Sequence, residues 1–252
     1  MPATVAVALA TPLVVIAAIA ALRAPMRLLA VYGMIIPFGS GLVISSALPA
    51  PFNTLSTVTG IAATGALAVQ LALGVRRRAV VVPALPVWIL FLGVAATTWL
   101  WSVNGDATLR RALVLSSLIA LYAVTALTDA EPRDVAWVEA GIILGGALTG
   151  AYAIFLAFSG GLPETGATPG RFAIPGSGGE AGDPNVTAAT LLLPLVVALK
   201  HTGRQSDRRV RAAGAAAALL AFTGIGLTAS RGGLVAAAVG ILVLAGSSAV
   251  AA

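Results

Sequence analysis

Nine apolar runs, most of them near twenty residues long, separate this chain into membrane-length segments and short polar connections. They cover roughly 4–22, 28–46, 56–74, 80–101, 112–128, 135–158, 186–199, 212–228 and 233–252. A helix needs about 20 residues to cross the hydrocarbon core of a bilayer. Inside that core every backbone N–H and C=O must be paired within the protein, which a helix achieves within its own length. The regular two-residue alternation of an outer-membrane barrel is absent. The expected fold is therefore all-α. It is a polytopic transmembrane helical bundle of about nine spans, a single transmembrane domain over 1–252. Charged residues make up 10% of the chain, far below the roughly 25% of soluble domains, so one buried core with a polar shell is excluded. The seventh run is short for a full span; Asp183-Pro184-Asn185 completes it, or it is partly re-entrant. The ninth reaches the last residue without a polar tail, as expected of a chain incomplete at its C-terminus.

The connections alternate in charge. Arg23, Arg27, Arg76, Arg77, Arg78, Arg133, Lys200, Arg204, Arg208, Arg209 and Arg211 fall on one set, eleven of the fifteen basic residues. The positive-inside rule makes that set cytoplasmic. The first run lacks a positive segment before it and has Arg23 and Arg27 behind it, the reverse of a cleaved signal peptide. A retained first helix with its N-terminus outside follows. The other connections, on the outer face, hold only Arg110, Arg111, Arg171 and Arg231.

The net charge of +6 is spread over loops as a topology signal, not gathered into a nucleic-acid patch. Without cysteine, and with one histidine, the chain has no thiolate chemistry and no zinc motif. No metal and no cofactor are expected. Fourteen arginines against one lysine in an Ala/Gly-rich chain fit a GC-rich bacterial genome.

Positive residues are scarce on the outer face of a membrane, so Arg171 and Arg231 carry most of the functional signal. Arg171 lies in the long Gly/Pro-rich external loop 159–185. Loops of that length are functional or disordered; against a floppy linker, Arg171-Phe172 and Ile174 offer groups that dock onto the bundle or the membrane. The loop ends at Asp183-Pro184-Asn185, where Asp183 or Asn185 caps a helix whose first turn takes proline. Helix N-termini suit phosphate. Arg231 sits in Thr228-Ala229-Ser230-Arg231-Gly232-Gly233 between two apolar runs. Glycine and serine there allow close approach of a ligand, and a guanidinium forks onto phosphate oxygens. The alternative for Arg231 is a side chain snorkelling to the interface. Arg110 and Arg111, behind Trp101-Ser102, read foremost as headgroup anchors. The candidate anion contacts are Arg171, Arg231, Asn185 and Ser230, with Arg110, Arg111 and Asp183 as secondary ones.

Other residues read more plainly. Glu139 is expected to reach the interface or pair with Arg133, and His201, in a basic cytoplasmic loop, has no assigned catalytic role. Asn185-Val186-Thr187 matches a weak glycosylation sequon beside a membrane boundary. Gly141 with Gly145, and Gly146 with Gly150, make faces for close helix packing. Neither a 20–50-residue repeat nor an inverted repeat is visible.

Taken in order, Trp101-Ser102, Leu109-Arg110-Arg111, Arg171, Asp183-Pro184-Asn185, Leu191-Leu192-Leu193-Pro194 and Thr228-Ala229-Ser230-Arg231-Gly232 make roughly 85–245 resemble the O-antigen ligase/polymerase family. These are polytopic bacterial membrane glycosyltransferases of cell-surface polysaccharide assembly. The resemblance implies transfer of a glycan from an undecaprenyl-pyrophosphate carrier to a lipid or glycan acceptor at the outer face of the cytoplasmic membrane. It implies no nucleotide sugar, and partners limited to that donor, the acceptor and membrane lipids, with no nucleic acid. Arg171 and Arg231 match the family's two outward, pyrophosphate-holding arginines. The family's later external loop with a histidine, the expected general base, has no counterpart here, so the chain resembles the N-terminal portion and its catalytic residue is unassigned. The alternative class is a transporter or flippase component, or an inactive family member, that only binds a lipid-linked sugar pyrophosphate.

Overall fold

The computed structural model describes residues 22–44, 53–75, 82, 84–162, 169–174, 182–203 and 207–250. The first expected span lies outside them except for its last residue, as do Arg76–Arg78, Pro83 and Arg204. Among the described residues the chain is helical. The α-helices are α1 (Pro25–Ile35), α2 (Leu55–Ala72), α3 (Leu85–Thr97), α4 (Gly105–Leu127), α5 (Pro132–Ser159), α6 (Pro184–Lys200), α7 (Arg208–Leu227) and α8 (Arg231–Val250). Short 3-10 turns, Ile36–Gly41 and Thr98–Trp101, follow α1 and α3. Four helices, α2, α4, α5 and α7, are long and apolar enough to cross a membrane; the other four are apolar over shorter stretches, α8 over Arg231–Gly246. These helices mark a membrane protein.

The chain forms two compact units, Met1–Met26 with Ile61–Arg133, and Arg27–Gly60 with Asp134–Ala252. In the first, α3 packs on α4. The side-chain carbonyl of Asn104 accepts from the Ala107 N–H at 3.0 Å and caps α4. That cap starts the helix at Gly105, seven residues ahead of the apolar run, because the polar Asp106-to-Arg111 segment forms its first turns rather than a loop. Trp99 lies close enough to Gly105 that a Cβ there would meet its indole nitrogen.

The second unit is built on α5. A Cβ on Gly141 or Gly145 would strike the α1 carbonyls of Ala30 and Met34. One on Gly146 would strike the Pro194 ring of α6, and one on Gly150 the Leu220 carbonyl of α7. One helix thus touches three others, each contact made where a side chain is missing. Pro194 gives up its backbone donor inside α6, and Gly146 leaves room for its ring. The core is small and tightly set: Ala188, Leu191, Leu195 and Ala198 of α6 meet Ala217, Ala218, Ala221 and Ile225 of α7 and Ala237 of α8. After Ile35 the expected second span breaks early. Pro37 has no N–H to continue the helix, and Gly39 takes φ +53°. The chain then makes an isolated antiparallel bridge, Val43 to Thr54.

Contacts along these helices give their directions. Gly233 approaches Ala188 and Gly240 approaches Val196, so α6 and α8 run parallel. Gly214 lies by Ala198 and His201, and Gly224 by Leu191, so α7 runs against α6. The N-termini of α6 and α8 and the C-terminus of α7 therefore share one end of this unit.

At the opposite end, Glu139 corrects an expectation. It does not pair with Arg133. Its carboxylate takes Lys200 Nζ at 2.5 Å and meets His201 Nε2 at 2.9 Å. The reason is the antiparallel run of α5 and α6, which brings residues 61 and 62 positions apart together.

Candidate functional site

The site grows from the break between α7 and α8. Helix α7 stops at Leu227, and Ala229 adopts φ +50°. That left-handed backbone costs a β-carbon-bearing residue on the order of 1 kcal/mol. Thr228 and Ser230 hold the turn from inside. Thr228 Oγ1 donates to the Ile225 carbonyl at 2.6 Å and accepts from the Ser230 N–H at 3.2 Å. Ser230 Oγ accepts the Gly233 N–H at 3.0 Å, so Ser230 is the N-cap of α8. Both side chains are buried.

Helix α6 begins beside it. The Asp183 carboxylate accepts the Asn185 N–H at 2.8 Å, with Pro184 in the first turn. The Ser230 hydroxyl donates to Asn185 Oδ1 at 2.9 Å and ties the two helix starts together. Two parallel N-termini placed side by side each carry a partial positive charge and unpaired N–H groups. They repel one another and attract an anion.

Residues 171–174 strap this end. The Phe172 N–H donates to the Leu227 carbonyl at 2.9 Å, and Arg171 Nε donates to the next carbonyl, Thr228, at 2.8 Å. These carbonyls at the end of α7 have no helical partner of their own, and a cation is favourable there. Phe172 is fully buried, edge-on to Tyr152 of α5 with ring centres 6.2 Å apart. The Ile174 N–H donates to Thr187 Oγ1 of α6 at 3.1 Å. A Cβ on Gly182 would strike the Ile174 carbonyl, so the described stretches 171–174 and 182–185 of the loop meet here. That loop is thus anchored at residues 171–174, not a linker along its whole length; 163–168 and 175–181 lie outside the described residues.

A continuous hydrogen-bonded chain results: Asp183, Asn185, Ser230, Thr228, Arg171. It joins three stretches separated in sequence and includes four of the residues singled out from the sequence. Arg171 spends only Nε on the protein; among the described residues its terminal nitrogens have no partner. Arg231 is exposed in the first turn of α8, directly after Ser230. Asp183 and Asn185 are exposed as well. Arg110 and Arg111 belong to the other unit, on α4. Arg111 is exposed there, and the side chain of Arg110 lies outside the described residues.

Sequence reasoning missed the Asn185–Ser230 tie and the part of Tyr152. The pattern Ser-x-x-Gly after an apolar run marks Ser230 as a cap, but nothing local marks its second partner. Chemically, the arrangement sets the Arg171 guanidinium beside two helix starts, with Arg231 exposed in the first turn of one of them. Among the described residues no group of histidines and carboxylates gathers to hold a metal ion. No family model, curated protein or solved structure matches the chain.

Proposed function

We propose that this protein is a membrane glycosyltransferase of the O-antigen ligase type, acting in bacterial cell-surface polysaccharide assembly. Its donor is a glycan on undecaprenyl pyrophosphate, and its acceptor is a lipid or glycan hydroxyl. In this reading the chain crosses the cytoplasmic membrane about nine times with its N-terminus outside, and the Arg171 end of the second unit lies on the outer face. One observation carries the reading. The strap residue Arg171 is fixed by Nε to Thr228, next to the joined N-termini of α6 and α8, and among the described residues its terminal nitrogens have no partner. A pyrophosphate gains charge as the sugar departs, and preorganised donors stabilise that charge without reorganising.

The motifs of the resemblance support the same assignment, since Arg171, Asp183-Pro184-Asn185 and Ser230-Arg231 lie far apart in the chain yet belong to one end of one unit. Arg171→Ala and Arg231→Ala, each in the full chain, are expected to insert normally. Each removes a charge-assisted bond worth about 1.5–3 kcal/mol, so binding of undecaprenyl pyrophosphate in proteoliposomes should weaken tenfold or more and glycan transfer should collapse. Full transfer by both variants would sink the proposal. Movement of the lipid-linked glycan across the vesicle membrane without transfer would favour the flippase class instead.

A further inference from the structure

Thr59, Thr125, Thr187 and Thr190, all within helices, turn their hydroxyls back and donate to a carbonyl three or four residues earlier. Thr149 of α5 does not. It is fully buried, and among the described residues its Oγ1 has no hydrogen-bond partner. A helical threonine that leaves its own backbone aims the hydroxyl at a neighbour. Thr149 stands one turn beyond both Gly145 and Gly146, on the same face of α5. Gly145 abuts Met34 of α1 and Gly146 abuts Pro194 of α6, so Thr149 overlooks the seam between those two helices. One turn beyond Met34, in step with Thr149, α1 gives way to the 3-10 turn Ile36–Gly41, which packs on α6. On α6 the same level is Leu191, since a Cβ on Gly224 would touch both Leu191 and the Gly150 backbone. Both walls of this seam are broken by proline. Pro37, itself fully buried, brings no N–H to the Gly33 carbonyl, and Pro194 brings none to the Thr190 carbonyl. Gly33 lies against α5, where its Cβ would meet Ile142. Helix carbonyls point along the chain toward the residue four places on, so both of these carbonyls are directed to within a turn of Thr149.

We infer that this seam is a binding site for a buried water shared by α1, α5 and α6. Thr149 Oγ1 donates to the water, and the water's two hydrogens go to the Gly33 and Thr190 carbonyls. A buried water makes about three hydrogen bonds, and one donor facing two acceptors is a set that it completes. The water supplies the bonds that both prolines withhold and closes the orphaned hydroxyl with the same molecule. Its level lies between Asn185 and the Pro194 break, roughly 9 Å along α6 from Asn185. It therefore holds against α5 the half of α6 whose start is tied to Ser230.

Thr149→Val keeps the side-chain shape and removes the hydroxyl. In the purified full chain it is expected to lower the thermal midpoint by roughly 2 °C or more, because the water loses its donor and buried carbonyls lose a partner. Should valine disturb the fold for steric reasons, Thr149→Ser against Thr149→Ala reads the same hydroxyl, and serine should have the higher midpoint. Pro194→Ala returns an N–H to the Thr190 carbonyl, so Thr149→Val should cost less in that background, a coupling read by the double-mutant cycle. A high-resolution density map should show a water within hydrogen-bond distance of Thr149 Oγ1, lost in Thr149→Val. An unchanged or raised midpoint in Thr149→Val, with alanine equal to serine, means an orphaned hydroxyl and overturns the site. Equal cost of Thr149→Val in both backgrounds removes the Thr190 carbonyl and overturns the bridge. A midpoint raised by sodium chloride but not by choline chloride, and only when the hydroxyl is present, replaces the water with a cation and overturns it as well.

Discussion

Phe172 decides where Arg171 can be. Its ring fills a fully buried position against Tyr152, and its N–H takes the Leu227 carbonyl. The neighbouring guanidinium is then delivered to the Thr228 carbonyl. Truncating a buried aromatic ring costs on the order of 3–5 kcal/mol. Phe172→Ala should therefore lower the thermal midpoint in detergent and weaken undecaprenyl-pyrophosphate binding, although no charge has been removed. Phe172→Leu should recover much of both. Unchanged binding in the Ala variant would show that the strap does not place the arginine. At this scale the sequence exposed the unusual residues but not their partners. Arg171 and Arg231 stand out because charge is rare beside apolar runs. The tie from Ser230 to Asn185 spans 45 positions, and no local pattern encodes a bond of that separation. Glu139 shows the same limit: Arg133 is near in sequence, while Lys200 and His201 are near in space.

Among the elements, α5 organises the second unit, and its glycine spacing was legible. Gly141, Gly145, Gly146 and Gly150 read as close-packing faces, and each meets another helix. Which helix each would meet was not legible, because a small residue specifies only closeness. Gly150 gives a sharp test. A Cβ there would collide with the Leu220 carbonyl, and a Cβ on Gly224 of α7 would lie 3.2 Å from the Gly150 Cα. Backbone cannot swing aside as a side-chain tip can. Gly150→Leu is expected to part α5 from α7 and to abolish a monodisperse folded fraction on size-exclusion chromatography. Gly226→Ala on α7 is the control, since a Cβ there meets nothing within 4 Å; it should be neutral or slightly stabilising by helix propensity. Equal tolerance of both changes would mean that α5 and α7 do not cross at Gly150. Helix ends were legible where the cap is local. Asp183 and Pro184 mark the start of α6 as their types suggest. Asn104 starts α4 ahead of its apolar run because a polar first turn looks like a loop when only hydropathy is followed.

For the whole molecule, the charge pattern makes a claim about sidedness that helix direction alone does not. The Glu139–Lys200–His201 cluster and the Phe172–Tyr152 contact sit at opposite ends of the second unit. Helix α5 runs twenty residues on from Glu139 to Ser159, about 30 Å of rise, enough to span the hydrocarbon core. The basic residues Lys200, Arg208, Arg209 and Arg211 belong to the first of those ends, and the positive-inside rule turns that end toward the cytoplasm. Because the chain has no cysteine, single introduced thiols report on this directly. Ser159→Cys, exposed at the end of α5, should react with a membrane-impermeant maleimide added to intact spheroplasts. Gly203→Cys, exposed just past α6, should react only after permeabilisation. The reversed pattern would put Arg171 and Arg231 on the inner face. Positive charge is ordinary there, so the reason for reading the pair as a binding site for an outward-facing lipid-linked pyrophosphate would be lost, however well the hydrogen-bonded chain holds them.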